Sequence, residues 1–123
     1  MLVNTYTAYP AIDAHFFPSE IKVEEGTRSR LICSINKGET NFKIAWFKND
    51  KPLGISMHSL SSFGEHLQKS TENKHRFSIQ HQEDSSTILF RNVLLADSGK
   101  YTCLATNRCG TDNKTTQLIV NCE

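Results

Sequence analysis

A chain of 123 residues that is 37% hydrophobic and 22% charged has the profile of one compact domain. Its formal charge of +1, with no run of five Lys or Arg, excludes the broad basic field of a nucleic-acid binder. No apolar stretch exceeds the four residues of Val93-Leu94-Leu95-Ala96, far below the ~20 that span a bilayer, so no direct membrane contact is expected. Residues 1–14 lack the basic start and continuous apolar run of a secretion signal. Residues 1–10 are read as an N-terminal extension and 11–122 as one domain, with an export signal and any anchor expected elsewhere in the natural protein.

Short runs of period-two alternation, separated by turn residues at a spacing of about 8–12, predict an all-β sandwich or barrel. At the front, Phe16-Phe17-Pro18 followed by Ile21 and Val23 reads as an edge strand broken by proline, which cannot donate to a ladder. Residues 29–35 put Leu31, Cys33 and Ile35 on one face, and 43–48 do the same for Ile44 and Trp46. Asn49-Asp50-Lys51 supplies a tight turn before Pro52-Leu53. The polar segment 54–75 is weakly patterned. Because a structureless loop of that length is uncommon in a compact domain, short edge strands are expected within it near Ile55–Met57 and His66–Gln68. Beyond it, 76–80 aligns Phe77 with Ile79, and 86–93 aligns Ile88 with Phe90 and closes on Val93. Residues 100–106 align Tyr101, Cys103 and Ala105, and 115–121 align Leu118 with Val120. That makes at least seven strands.

Cys33, Trp46 and Cys103 stand in the order and approximate spacing of an immunoglobulin core, and Tyr101 lies two residues before the second cysteine, as a tyrosine corner requires. The resemblance implies two antiparallel sheets joined by a Cys33–Cys103 disulfide, with the indole packed on it. It also places Arg76 where such domains pair an arginine with the corner Asp97. A core disulfide implies an oxidising, extracellular or luminal setting. Zinc is disfavoured because none of the four cysteines forms a C-x-x-C pair. Cys109 and Cys122 flank a final strand long enough to hold them ~30 Å or more apart, too far to pair with each other. Both free, one bridged to another chain, or Cys122 paired with a neighbouring domain all remain open. Asn113-Lys114-Thr115 is a standard N-glycosylation acceptor, and Asn107-Arg108-Cys109 only a rare variant.

No catalytic or cofactor signature stands out. His58, His66, His75 and His81 are spaced too irregularly for metal ligation, and neither a G-x-S-x-G setting nor a glycine-rich phosphate cradle occurs. A non-enzymatic module without cofactors is expected.

The motifs Phe16-Phe17-Pro18, Glu25-Gly26, Leu31-Ile32-Cys33, Ile44-Ala45-Trp46-Phe47-Lys48-Asn49-Asp50, Pro52-Leu53 and the stretch from Asp97 to Gly110 resemble an I-set immunoglobulin domain of a cell adhesion receptor. The likeness covers roughly 11–121. It is most similar to the arthropod Down syndrome cell adhesion molecule (Dscam) family, including the variable first domain of the shortened chelicerate forms. Cys109 before Gly110 and the long 54–75 segment depart from that pattern. The resemblance implies neuronal-type self-recognition on a cell surface, with two copies pairing antiparallel through the sheet of strands A, B, E and D. Alternation independently points Arg30, Ile32 and Ser34 of one strand outward, and Thr87, Leu89 and Arg91 of another. Ser78 and Gln80 join them as candidate interface residues. Ile32 and Leu89 are expected to form an apolar spot flanked by arginines, and Phe47, Leu104 and Ile119 to lie exposed on the opposite sheet. A heterophilic or immune receptor and a structural spacer are the alternative readings.

Overall fold

The computed structural model describes residues 8–122 apart from 57–76, and the side chains of 54–56 are likewise not described. Nine strands are found among the described residues: β1 (Ala11–Ile12), β2 (Glu20–Glu24), β3 (Ser29–Lys37), β4 (Lys43–Lys48), β5 (Lys51–Ser56), β6 (Phe77–Gln82), β7 (Ser85–Phe90), β8 (Gly99–Asn107) and β9 (Gly110–Asn121). They form a four-stranded sheet, β1-β3-β7-β6, and a five-stranded sheet, β2-β9-β8-β4-β5. Every pairing is antiparallel except β2 with β9, which runs parallel from Glu20↔Gln117 to Glu24↔Asn121.

The inward rows are those that alternation predicts. Leu31, Cys33 and Ile35 of β3, Ile44 and Trp46 of β4, Ile88 and Phe90 of β7, Tyr101, Cys103 and Ala105 of β8, and Leu118 and Val120 of β9 form one buried core. Phe77 and Ile79 pack against its edge, half-buried. Val93 is fully buried, though it lies past the end of β7 rather than within it.

The front of the chain differs from the single proline-broken strand expected of it. Ala14–Phe16 forms a 3-10 turn, whose preceding Asp13 accepts a hydrogen bond from the His15 backbone N–H at 2.9 Å. Here the chain leaves the four-stranded sheet and joins the other. The cause is local: Pro18 has no N–H to continue a ladder. Phe17 turns into the core against Trp46, with ring centroids 5.8 Å apart, while Phe16 stays exposed. Packing also reaches back beyond Ala11, since Ala8 and Pro10 are buried.

At the β4–β5 hairpin, Asn49 and Asp50 both take positive φ, 50° and 70°, as a two-residue turn of matching twist requires. Pro52 is accommodated in β5 because that strand is an edge and the register shifts opposite it, between Trp46 and Phe47. The expected strand near Ile55–Met57 is thus the end of β5, up to Ser56, while the one at His66–Gln68 falls outside the described residues.

Candidate functional site

The four-stranded sheet carries the residues that alternation points outward. Register places Arg30 opposite Leu89 and Leu89 opposite Ser78, giving one row across β3, β7 and β6. Ile32, Thr87 and Gln80 form the next row, and Ser34 stands opposite Ser85 at the far end of the β3–β7 ladder. Arg91 follows β7 directly, at the same end as Arg30. Arg30, Gln80 and Arg91 are exposed, and Ile32, Ser34, Ser78 and Thr87 are half-buried.

Leu89 departs from the expectation of an open apolar spot, being only 8% exposed. It occupies a strand with neighbours on both sides, Arg30 and Ser78, and the Ser78 Oγ beside it is itself buried, with no hydrogen-bond partner among the described residues. Among the described candidate residues of this face, Ile32 is therefore the apolar one left half-buried. On the opposite sheet, Phe47, Leu104 and Ile119 are also half-buried rather than exposed. Asn113 is exposed on β9 and stands directly across from Leu104 of β8.

Among the described residues that alternation points outward on this face and in its β6–β7 turn, charge is divided along the strand direction, with exposed Lys37 at the end of β3 close to the acidic turn. Arg30 and Arg91 mark one end. Exposed Glu83 and Asp84 form the β6–β7 turn at the other. At ~3.3 Å per residue the two ends lie ~20 Å apart.

Behind this face, Cys33 and Cys103 form the inter-sheet disulfide, and Trp46, fully buried, belongs to the same core. The indole N–H donates to Ser86 Oγ at 2.8 Å, and that hydroxyl lies 2.9 Å from His81 Nδ1. Partial burial lowers the His81 pKa. The Tyr101 hydroxyl donates to the Asp97 carbonyl at 2.6 Å, and the Asp97 carboxylate, 1% exposed, accepts from Leu94 N–H at 2.8 Å. This is the expected corner. Arg76 lies outside the described residues.

The end of the sandwich opposite that corner holds a constellation that strand periodicity does not reveal. Asn107, 7% exposed, donates from Nδ2 to the carbonyls of Ala8 at 2.7 Å and Glu39 at 3.0 Å. Its Oδ1 accepts from Cys109 N–H at 2.8 Å and Gly110 N–H at 3.1 Å. The second pair is the side-chain turn that Asn ahead of a glycine commonly builds, so Asn107-Arg108-Cys109-Gly110 was the available signal. Burial also leaves Asn107 poorly placed as a glycan acceptor. Arg108 grips the Glu39 carboxylate with Nε and with Nη2, the latter at 2.9 Å, and holds it below the usual carboxylate range. Cys109 and Cys122 are free thiols at the two ends of β9. Among the described residues no group of histidines, cysteines or carboxylates could hold a metal, and no helix is long and apolar enough to cross a membrane.

Two stacked sheets of four and five strands, joined by Cys33–Cys103 over a buried tryptophan and closed by a tyrosine corner, define an immunoglobulin-type β-sandwich. The chain belongs to the immunoglobulin I-set domain family, whose model matches residues 12–120. It is 31% identical over 111 residues to human hemicentin-1, covering 90% of this chain and 2% of that protein. It is 28% identical over 112 residues to the muscle M-line assembly protein unc-89 of Caenorhabditis elegans, covering 89% of this chain and 1% of that protein. The chain thus spans a small fraction of these relatives. Among solved structures, the seventh immunoglobulin domain of Dscam1 superposes with a TM-score of 0.67 at 21% identity, covering 91% of this chain and 96% of that one. The titin tandem A164-A165 gives 0.70 at 17% identity, covering 95% and 51%. At such identities both show the fold alone. The family is one of structural and binding modules, and solved structures of the same fold include complexes of titin with obscurin-like 1 and of titin domains with telethonin.

Proposed function

We propose that the domain is an extracellular recognition module of a larger cell-surface protein, and that it pairs with a second copy of itself, antiparallel, through the outer face of the β1-β3-β7-β6 sheet. The observation that carries this reading is the division of charge along that face. A two-fold axis through the Ile32–Thr87–Gln80 row sets Arg30 and Arg91 of each copy toward Glu83 and Asp84 of the other. A parallel arrangement would stack arginine on arginine. Asn113 supports the same choice of face: a glycan there would shield Leu104 and its neighbours on the five-stranded sheet, leaving the four-stranded sheet open. The inter-sheet disulfide supports an oxidising compartment.

Sedimentation equilibrium of the isolated domain tests the proposal. Dimers are expected, weakened by Ile32→Asp and by Arg30→Glu, and recovered when Arg30→Glu is combined with Asp84→Arg. Monomers at every accessible concentration, or dimers indifferent to all three substitutions, would overturn it. A second reading, a force-transmitting spacer, draws on a separate observation. β2 lies early in the chain and β9 is the last strand, and the two run parallel, so tension applied across them from opposite ends of the chain shears all five residue pairs together. A reduced Cys33 in the natural protein would favour that reading over the first.

A further inference from the structure

The row Cys33–Ser86–His81 runs across β3, β7 and β6 on the inner side of the sheet, ending at a histidine that is exposed at the sheet edge but whose ring nitrogen contact is partly buried. Ser86 at its centre is completely buried. An indole N–H only donates, so the 2.8 Å contact with Trp46 makes Ser86 Oγ the acceptor and leaves the serine's own proton to be placed. The acceptor within reach is His81 Nδ1 at 2.9 Å, which accepts only when it carries no proton.

We infer that Trp46, Ser86 and His81 form a proton-sensing relay, in which neutral His81, protonated on Nε2, anchors β6 to the core, and protonation of Nδ1 in mild acid breaks that anchor. Once Nδ1 gains a proton, Ser86 Oγ faces two donors, and its own hydroxyl hydrogen is left to find another acceptor from a fully buried position. Among the described residues, the groups on the inner side beside His81 do not offset the charge: β7 presents Ser86, β3 the disulfide-bonded Cys33, and β4 Trp46, none of which titrates in this range. The charged neighbours in the turn, Glu83 and Asp84, are exposed, and burial is the cause of the lowered His81 pKa. Since neutral histidine is favoured in the folded state, the unfolded chain binds the extra proton first as pH falls. The relay's contribution is therefore complete above ~6.5, the ordinary histidine value, and declines as pH drops toward the lower folded value.

Nitrogen-15 NMR of the histidine rings and of the single tryptophan tests the inference on the intact domain. His81 should show the Nε2–H tautomer at pH 7.5 and titrate below ~6.5. The Trp46 indole resonance should shift with the same midpoint. In His81→Gln, the indole resonance should lose that pH dependence, and the fall in urea midpoint between pH 7.5 and 5.5 should shrink. An Nδ1–H tautomer, or an indole resonance that ignores the His81 titration, would overturn the relay. These readouts do not depend on whether the domain dimerises.

Discussion

Replacing Asn107 by Ala removes the side chain that ties three separate pieces of chain at one end of the sandwich. Four hydrogen bonds disappear: two that Nδ2 donates to Ala8 and Glu39, and two that Oδ1 accepts from Cys109 and Gly110. At a net contribution of about 0.5–1.5 kcal/mol each, and with some of the stranded groups regaining water at the rim, a loss of about 3 kcal/mol is expected. For a domain of this size that corresponds to a fall in melting temperature on the order of 10 °C. The assay is urea unfolding followed by tryptophan emission, paired with hydrogen exchange of backbone amides. Because Oδ1 is the acceptor for the Cys109 and Gly110 amides, those two should lose protection in the mutant, and Glu39 N–H, which donates to the Ala8 carbonyl at 3.0 Å, should follow as the leading segment lifts. A loss below about 0.5 kcal/mol, the range of an ordinary surface change, with those amides still protected, would refute the reasoning.

Removing both Cys33 and Cys103, each to Ala, should destabilise the domain by about 4 kcal/mol, the chain-entropy value for a cross-link across a separation of 70 residues. Chemical denaturation of the double mutant checks this, and a loss under about 1 kcal/mol would show that the unfolded chain gains little freedom from the cut. The Glu39 carboxyl should titrate below the ordinary glutamate range because Arg108 donates to it. Its effect on stability is present above the unfolded value, near 4.5, and is lost as pH falls through the lower folded value. Carbon-13 NMR should find the Glu39 midpoint moving up in Arg108→Gln. An unmoved midpoint would mean that the two side chains do not meet in solution.

The interior was legible in the sequence because a strand alternates with a period of two, so each inward row appears as every second residue. Leu31, Cys33 and Ile35, or Tyr101, Cys103 and Ala105, need only that rule, and all six are buried. The same rule identified which residues share the outer face, and register places them in common rows. Exposure was a different matter. Alternation gives Leu89 a direction, but it cannot say how much of that side chain the residues beside it leave open, and here they leave little. The change of sheet after β1 was hidden for a related reason: Pro18 announces a break without saying which ladder the chain joins next.

The ends of the sandwich were illegible because they are built from pairs distant in sequence. Asn107 reaches Ala8 across 99 residues, Arg108 reaches Glu39 across 69, and the Ile12 backbone donates to Asp112 across 100. No local pattern encodes such contacts, since each partner alone reads as an ordinary polar loop residue. Ser86 and His81 are five apart, yet the meaning of their contact depends on Trp46, forty residues earlier. It follows that core patterning is enough to assign this chain to its family, whereas what distinguishes it within that family lies in side chains that alternation marks only as outward or as loop. The arginines and carboxylates at opposite ends of the four-stranded face belong to that second group, which is why a charge-swap experiment decides the partner where a likeness of fold does not.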